Sequence, residues 1–282
     1  MSNDCEKGES PSLTTVTIVI ISYNQGRYLE EAIASVLDQN YPRVERTMLD
    51  GGSTDGSIEI IEKYSSAFAY CRSGPDGGPA AALNDGFQHS TGEILAFLNS
   101  DDVLRPWAVR EWVAAFKDNP EAGVVYGDVE FIDGNGNPTT LPGKHVSTFR
   151  AGTWHPRAHA AGALMIPQQA SAWKRDVFDF VGGFNVKNKT SWDGEFFAQA
   201  TMAGFKFKLI KKVLASFRVH PDSISGSGRL NSLYLEDLRR VHEQWRRSGI
   251  EVSKIEGTFW RFLVRTERFL RQPSAVIGIL GR

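Results

Sequence analysis

The stretch GEILAFLNSDD, residues 92–102, joins a short apolar run to two adjacent carboxylates. The run ILAFL is continuous, which is typical of a central parallel strand that is covered on both faces. Ligands of such sheets bind at the carboxyl ends of the strands. Because Asp101 and Asp102 repel each other when both are ionised, their position indicates a divalent cation site. An acidic turn ahead of a helix that starts at Pro106 gives the same pattern, and both interpretations stay open.

Strand and helix patterns alternate through the first hundred residues. The segment TVTIVIIS is β-branched and is followed by apolar residues at helical spacing, and this pairing repeats. Short connections between such units predict an α/β fold with a doubly wound parallel sheet. The predicted elements are a strand at 15–22, a helix at 23–39, a strand at 44–49, a helix at 58–64, a strand at 68–71 and a helix at 79–89.

The pattern becomes less regular after Pro106. A helix is predicted there, followed by a hairpin around a Gly/Asn-rich turn and by a loop-built pocket without strong periodicity. The later predictions are a hairpin at 123–138, a pocket loop at 141–172, short helices at 174–184 and 191–205, extended segments at 205–210 and 213–220, and helices from 229 to 271.

The composition excludes several classes of protein. Its 32 basic and 33 acidic residues nearly cancel and 41% of the chain is hydrophobic, which is typical of a globular protein and argues against nucleic acid as the main partner. Its two cysteines, Cys5 and Cys71, do not form a disulfide framework. No apolar stretch is long enough to span a bilayer. We therefore expect a cytoplasmic protein, with any membrane contact peripheral.

Five motifs occur in a fixed order: ISYNQGRYLEEAIASVLDQ, LDGGSTDGS, LNSDD, SWDGEFF and FRVHPDSIS. Together they resemble the family 2 glycosyltransferases of the GT-A fold. The resemblance implies a Rossmann-like, mixed but mainly parallel sheet flanked by helices. It implies a catalytic domain at 14–226, with a nucleotide-binding half at 14–102 and an acceptor-binding half at 103–226. Residues 1–13 are expected to be a disordered leader, and 227–282 a C-terminal helical extension.

The resemblance also implies where the base of a nucleotide-sugar donor lies. Tyr23 would stack on a uracil ring, and its neighbour Ser22 would offer hydrogen bonds. The carboxylate of Asp50, at the end of the second strand, would accept a hydrogen bond from the base. These assignments favour a UDP-sugar.

The segment SGPDGGPAAALNDG resembles the family's loop and helix beside the donor diphosphate. Asp76 and Asn84 are the candidates for polar contacts there. Gly77 departs from the family pattern, in which many members carry a lysine at that place.

A divalent cation, Mg²⁺ or Mn²⁺, is the implied cofactor. Asp102 is expected to bind it directly together with His220, while Asp101 holds the ribose or orients the site. The first member of the family's DXD-like motif is Asn99 or Ser100 in this chain. For the histidine, a surface position ahead of a proline is the alternative interpretation.

The implied catalytic base is Asp193 of SWDGEFF, with Glu195 as the alternative carboxylate. The base would take a proton from the acceptor hydroxyl as that oxygen attacks the anomeric carbon, which inverts the centre. An acid at a helix start is also a favourable capping charge. Gln168, Gln169 and Trp192 are the candidates for contacts with the acceptor.

The C-terminal helical pattern is amphipathic and basic. Residues 229–271 contain ten Lys or Arg and six Asp or Glu. Peripheral contact of 258–271 with an anionic membrane that carries lipid-linked acceptors is one interpretation. Packing on the catalytic domain, or in a homo-oligomer, is the other. The apolar face is predicted to hold Phe259, Phe262, Leu263, Phe269 and Leu270, and the basic face Arg261, Arg265 and Arg268.

These features together predict a metal-dependent, inverting glycosyltransferase that adds sugars to a hydroxyl of a glycan or lipid-linked acceptor, in polysaccharide synthesis for a bacterial-type cell envelope. A sugar nucleotidyltransferase is a rival, but its Gly-rich, lysine-containing phosphate loop is missing from the N-terminus. A nonenzymatic glycan-binding module is another, and it would need neither Asp102 nor Asp193. The sequence does not specify the sugar, the linkage or the oligomeric state.

Overall fold

The computed structural model describes residues 13–141, 146–221 and 231–271. These residues form a mixed, nine-stranded sheet with helices packed on both faces, so the expected α/β class is confirmed. Residues 1–12 of the expected leader lie outside the described part of the chain. So does the expected boundary between residues 226 and 227.

One half of the sheet is parallel, in the order β3-β2-β1-β4. Its strands connect through helices, and each strand forms where the sequence predicts one. The strands are β1 (Val16–Ser22), β2 (Val44–Asp50), β3 (Tyr70–Ser73) and β4 (Ile94–Asn99), and the helices are α1 (Gly26–Leu37), α2 (Ser57–Lys63) and α3 (Pro79–Gln88).

The register of this half aligns the carboxyl ends of its strands. Ser22 pairs with Asp50, and Asp50 pairs with Ser73 on the next strand. On the other side, Ile21 pairs with Asn99. Polar residues that are far apart in sequence therefore share one sheet edge, where α/β folds bind ligands.

The second half of the sheet is mixed. It holds the strands β5 (Val103–Leu104), β6 (Ala122–Ile132), β7 (Thr148–Phe149), β8 (Ser171–Lys174) and β9 (Lys206–Arg218), and the helices α4 (Ala108–Asp118), α5 (Pro156–Ala160), α6 (Arg175–Val181) and α7 (Trp192–Met202). β8 runs antiparallel between β4 and β6 and links the two halves, while β9 runs parallel to β6. β5 pairs with the far side of β9, and β7 pairs with β6.

Two predictions from the sequence differ from the strands observed in this half of the sheet. The extended segments expected at 205–210 and 213–220 are one continuous strand, β9, because the long neighbouring strand β6 continues the pairing past register shifts. The hairpin expected at 123–138 contains one strand, β6, and its return arm is limited to a bridge between Ile132 and Pro138. Proline lacks an N–H and cannot extend that ladder.

β8 falls at the end of the expected pocket loop and was not predicted. It has four residues, too few for an alternating pattern to be read. Its Trp173 is fully buried and pairs with Leu95 on one side and Val124 on the other. The short strand is therefore set by packing from both neighbours rather than by its own propensity.

The sheet has an apolar core on each face. One core packs α1 and α4 on the sheet around Trp112, and the other packs α3, α6 and α7 around Trp173 and Phe196. Both tryptophans are fully buried. Since the strands are covered on both sides, their central residues are apolar without alternation.

Two helices follow the sheet, α8 (Asn231–Arg247) and α9 (Lys254–Leu270). They are separated at Gly249, which has a left-handed φ of 80° that glycine tolerates best. α8 buries Val241 and Trp245 against the domain, and α9 buries Val264 there. Within the described residues, no helix has the length and apolarity needed to cross a membrane.

Candidate active site

A cavity of about 810 Å³ opens at the carboxyl edge of the parallel strands. This volume is within the range of small-molecule sites. Residues from all five sequence motifs or their flanks border it. Its polar lining includes Ser22, Tyr23, Gln25, Asp76, Asn99, Ser100, Asp101, Gln168, Gln169, Thr190 and Asp193, and its larger apolar side chains include Phe97, Phe131, Phe149, Met165, Trp192 and Phe217.

The two adjacent aspartates after β4 point in different directions. Asp101 lines the cavity, and 18% of its side chain is exposed. Asp102 is 1% exposed and is not among the cavity-lining residues. This differs from the expectation that Asp102 faces the ion, because the chain turns between the two residues into β5.

The carboxylate of Asp102 binds other parts of the protein. It accepts hydrogen bonds from the backbone N–H of Arg218, at 3.0 Å, and from Nε2 of Gln169, at 3.3 Å. Burial and the charge of Asp101 raise its pKa well above that of an ordinary aspartate, although the Arg218 contacts oppose the shift. Asp102 thus fastens the acidic turn to β9.

Asp101 contacts His220 instead. Nε2 of His220 lies 3.0 Å from Oδ2 of Asp101, and the imidazole ring lies 4.9 Å from the ring of Tyr28. His220 is 5% exposed, so it is not the surface histidine of the alternative interpretation. His220, expected to bind the cation together with Asp102, is therefore adjacent to Asp101 instead, with Asp101 on the cavity side.

Arg218 holds the acidic turn in place, although the sequence analysis assigned it no role. Its side chain is 1% exposed, and Nε donates to the backbone oxygen of Asp101 at 2.8 Å. Nη1 donates to the backbone oxygen of Asp133, at 3.0 Å, and Nη2 binds Glu31. The buried guanidinium thus connects the acidic turn to α1 and to the loop after β6.

Tyr23 and Ser22 face the cavity from the end of β1. The Tyr23 ring is 63% exposed and lies over Gly51, where an added Cβ would be 3.1 Å from Cδ2 of the ring. Ser22 is 6% exposed, and its hydroxyl has no hydrogen-bond partner among the described residues. An exposed aromatic face and an unpaired hydroxyl are features of a ligand site.

The carboxylate of Asp50 binds the loop that follows it rather than facing the cavity. Its carboxylate is 1% exposed and accepts hydrogen bonds from the backbone N–H groups of Gly52 and Ser53, at 3.0 and 2.9 Å, and from the hydroxyls of Ser53 and Ser73. It is not among the cavity-lining residues. Asp50 therefore stabilises the turn that contains Gly51, and the Tyr23 ring packs on Gly51.

The segment around Gly77 and Gly78 forms another wall. Asp76 lines the cavity and accepts the backbone N–H of Gly78 at 2.7 Å. Asn84 lies away from the cavity, because its amide forms two hydrogen bonds with the backbone of Phe184, at 2.8 and 2.9 Å. Asn84 therefore joins α3 to the loop after α6 rather than facing a ligand.

Lys189 is a cavity-edge cation that the sequence analysis missed. Its Nζ lies 3.3 Å from the backbone oxygen of Gly77, on the loop that lines the cavity. The backbone N–H groups of Lys189 and Thr190 donate to Asp237 of α8, at 3.0 and 3.1 Å. No local pattern marks this lysine, because its position depends on contact between segments 112 residues apart.

The structure separates the two acids expected at the start of α7. Asp193 lines the cavity, and loss of water raises the pKa of its carboxyl, opposed by hydrogen bonds from backbone N–H groups. Glu195 is 1% exposed and accepts hydrogen bonds from Asn188, at 2.7 Å, and Gln244, at 2.7 Å. Asp193 is therefore available to a ligand, whereas Glu195 joins α7 to α8.

The three residues expected on the acceptor side line the same cavity. Trp192 is 7% exposed and packs in the core, yet its Nε1 has no hydrogen-bond partner among the described residues. Gln168 donates to the backbone oxygen of Phe97 at 2.7 Å, and Gln169 donates to Asp102. Both glutamines are thus held by the protein, while the indole N–H of Trp192 is buried and unpaired among the described residues.

The cavity fits a divalent cation that is only partly ligated by protein. Among the described residues, no group of three or more His, Cys, Asp or Glu side chains is placed to hold a metal ion. Asp101 supplies one carboxylate to the open cavity, and the imidazole of His220, which is not among the cavity-lining residues, binds that carboxylate from the protein side. Mg²⁺ is commonly bound through one or two carboxylates plus substrate phosphates, so this donor set suits it, and Mn²⁺ also accepts oxygen ligands.

Comparison with known proteins points to one family. The family model described as glycosyl transferase family 2 matches residues 17–214. An uncharacterised glycosyltransferase of Mycobacterium tuberculosis is 31% identical over 259 residues, covering 89% of this chain and 91% of the relative.

Two solved structures share the fold. TarS 1-349 of S. aureus in complex with UDP-GlcNAc superposes with a TM-score of 0.66 at 16% identity, covering 92% of this chain and 73% of that chain. The longer TarS chain is covered to 41%. The mannosyltransferase PcManGT of Pyrobaculum calidifontis, in complex with GDP-Man and Mn²⁺, gives 0.55 at 16% identity, covering 95% of this chain and 88% of that one.

Proposed function

The chain belongs to glycosyl transferase family 2, and on that basis we propose that it transfers a sugar from a UDP-sugar to a hydroxyl of a glycan or lipid-linked acceptor, with inversion and a divalent metal. The observation that carries this proposal is that one cavity collects Tyr23, Asp101 and Asp193. An aromatic platform, a cation-side carboxylate and a carboxyl of raised pKa are the groups that such a reaction needs.

The nucleoside occupies the wall near the ends of β1 and β2. Its base stacks on the exposed face of Tyr23, and the unpaired hydroxyl of Ser22 hydrogen bonds with it. Asp76 accepts a hydrogen bond from the ribose, since its second carboxylate oxygen faces the ring of Tyr23 across Gly51. UDP-GlcNAc bound to TarS, a protein of the same fold, supports uracil as the base.

The diphosphate lies between Asp101 and Lys189. Lys189 places its ammonium group beside the backbone of Gly77. The loop 74–78, to which Gly77 belongs, contains no basic residue of its own. An exposed ammonium beside a concave wall attracts phosphate oxygens as a point charge. This lysine therefore supplies, from the second half of the domain, the cation that the loop before α3 lacks.

Asp101 holds the cation and His220 positions its carboxylate, in place of the direct ligation by Asp102 and His220 expected from the sequence. Asp101 reaches the cavity, and His220 orients it from behind at 3.0 Å. A bound Mg²⁺ or Mn²⁺ would stabilise the charge that develops on the departing nucleoside diphosphate. Support for a metal comes from the Mn²⁺ in the mannosyltransferase of the same fold.

Asp193 is the base. Its raised pKa makes the carboxylate a better proton acceptor than an ordinary aspartate. The acceptor hydroxyl gives its proton to Asp193 and attacks the anomeric carbon as the bond to the diphosphate oxygen breaks. A single displacement of this kind inverts the anomeric centre.

The acceptor enters along the second half of the domain, which corresponds to the acceptor-binding half at 103–226. The wall on this side includes Gln168, Gln169 and Trp192. The apolar side chains of Phe149, Phe131 and Met165 border this side, and 62% of Met165 is exposed. Sugar rings and lipid-linked carriers both present apolar faces to such walls.

The proposal is tested by titrating the protein with UDP, GDP and dTDP, each with Mn²⁺ or with EDTA, and following its thermal unfolding. We expect UDP with Mn²⁺ to raise the melting temperature most, because a ligand stabilises the state that it binds. Transfer or hydrolysis of a labelled UDP-sugar then distinguishes an enzyme from a glycan-binding module. Absence of turnover across UDP-, GDP- and dTDP-sugars would contradict the proposal.

A further inference from the structure

We propose that the outward face of α9 docks the protein on an anionic lipid surface. This interaction goes beyond the proposed transfer reaction and does not depend on it. The face is defined by exposed apolar and basic side chains of Lys254–Leu270, and the observations that support it are exposure, spacing and charge.

The outward face carries an apolar stripe. Six large side chains lie at helical spacing on one side of α9, although a soluble helix normally turns such a side inward. Single exposed apolar residues are ordinary, but a contiguous set marks an interaction surface. Their exposed fractions are 85% for Ile255, 54% for Phe259, 66% for Phe262, 38% for Leu263, 42% for Phe269 and 73% for Leu270.

The same face is basic along one flank. Lys254, Arg261 and Arg265 are exposed beside the apolar stripe. The two acids of the helix, Glu256 and Glu267, are half-buried and are paired with Arg157 and Thr153 of the domain. An apolar stripe with a purely cationic flank is the pattern of helices that lie in the interface of anionic membranes.

The opposite face holds α9 firmly on the domain. Glu256 binds the guanidinium of Arg157, with Nη2 at 2.6 Å. Glu267 accepts the backbone N–H and the hydroxyl of Thr153, at 2.8 and 2.6 Å, and Val264 is buried. The apolar stripe is therefore not the face that packs the helix on its own domain.

A lipid surface fits this face better than a second copy does. Another copy of α9 would bring three more exposed cations, while its two acids are already paired with Arg157 and Thr153 of their own domain. Anionic headgroups neutralise Lys254, Arg261 and Arg265, and the phenylalanines enter the boundary between headgroups and acyl chains. Charge complementarity thus favours an anionic lipid surface as the partner of this face.

The position of α9 connects such docking to the cavity. The guanidinium of Arg268 lies 4.4 Å from the ring centroid of Phe149, which lines the cavity. Arg271, just after the helix, binds the buried carboxylate of Asp128 at 2.6 Å. A protein held by α9 would present its acceptor side close to the membrane, where lipid-linked acceptors are located.

The experiment is co-sedimentation of the full chain with vesicles, made of phosphatidylcholine alone or of equal parts phosphatidylcholine and phosphatidylglycerol. We expect sedimentation with the mixed vesicles only, weakened by salt because surface charges are screened. The double variant Phe259→Ser/Phe262→Ser should lose this binding. Arg261→Gln/Arg265→Gln should weaken it by roughly thirtyfold, since each basic residue near an anionic surface contributes about 1 kcal/mol.

A matched control is Arg246→Gln/Arg247→Gln, which removes two exposed charges from α8 and should leave vesicle binding unchanged. Circular dichroism verifies that each variant is folded. Failure of the wild-type chain to sediment with mixed vesicles, or equal sedimentation of the phenylalanine variant, would overturn the proposal. So would a dimer in vesicle-free solution that Phe259→Ser/Phe262→Ser dissociates, since a second copy would then occupy the face.

Discussion

Nε2 of His220 lies 3.0 Å from Oδ2 of Asp101, although the two residues are 119 positions apart. The contact joins the end of β9 to the turn after β4 and leaves Asp101 on the cavity wall. Asp102, its neighbour, faces Arg218 and Gln169. Adjacent acids thus have different partners, and this difference can be tested.

Asp101→Asn should reduce kcat/KM for sugar transfer by ~10²-fold, because the variant loses the charge that holds the cation opposite the diphosphate. His220→Gln should act in the same direction. Transfer of a labelled UDP-sugar, measured against Mn²⁺ concentration, checks this prediction. Asp102→Asn is the matched control. If the Mn²⁺ dependence of transfer changed more in Asp102→Asn than in Asp101→Asn, Asp102 rather than Asp101 would be the residue that holds the cation.

The stability of the protein should also depend on the protonation of Asp102. Its folded-state pKa is raised by burial and by Asp101, so the folded protein binds this proton more tightly than the unfolded chain does. Its contribution to the free energy of unfolding is full below the ordinary carboxyl pKa and is lost as pH rises through the raised pKa. We therefore expect Asp102→Asn to lower the melting temperature less at neutral pH than at pH values below the ordinary carboxyl range. A difference in melting temperature between the wild type and Asp102→Asn that stays constant across pH would contradict this prediction.

Asp193→Asn should abolish most turnover, by ~10³-fold in kcat, and leave UDP affinity almost unchanged, because the lost group accepts a proton only during the reaction. In the wild type, turnover should fall at acidic pH around a value higher than 3.8, the ordinary pKa, since desolvation raises that of Asp193. Glu195→Gln serves as the comparison. Loss of folding stability is its expected effect, whereas loss of turnover in a stable Glu195→Gln protein would make Glu195 the base.

Lys189→Met should weaken UDP binding by roughly five- to tenfold, because a hydrogen bond to a charged phosphate group is lost. Uridine, which has no phosphate, should bind both proteins equally. Isothermal titration with the two ligands measures the effect. Lys187→Met removes an exposed lysine two residues away and should change neither affinity.

Gly51→Ala should weaken uridine and UDP binding to a similar degree, by roughly tenfold, since the new methyl group would lie 3.1 Å from the Tyr23 ring and displace it. Gly51 does not have a left-handed φ, so the substitution adds no backbone strain. Tyr23→Ala should have the same effect and Tyr23→Phe a smaller one. Equal affinity of Gly51→Ala and wild type for uridine would show that the base does not stack on Tyr23.

Much of the site can be located from the sequence because parallel strands align their carboxyl ends. The apolar runs that end at Ser22, Asp50 and Asn99 predict β1, β2 and β4, and their register places these ends at one edge. The start of α7 also follows from its sequence, and the resemblance of SWDGEFF to the family's motif named Asp193 there. Asn84 shows the limit of such inference, since its motif is local but its partner, Phe184, is 100 residues away.

The sequence by itself determined the α/β class and the edge of the sheet where the candidate site lies, because strand and helix periodicity is a local property of the chain, and its motifs supplied the candidate acids through their resemblance to a family. Only the tertiary structure decided which acid of each pair faces the cavity. A side chain in a turn has no periodicity to fix its direction, so long-range partners such as Arg218 for Asp102 and Gln244 for Glu195 determine it. The same holds for Lys189, which reaches the Gly77 loop only when the two halves of the sheet pack together.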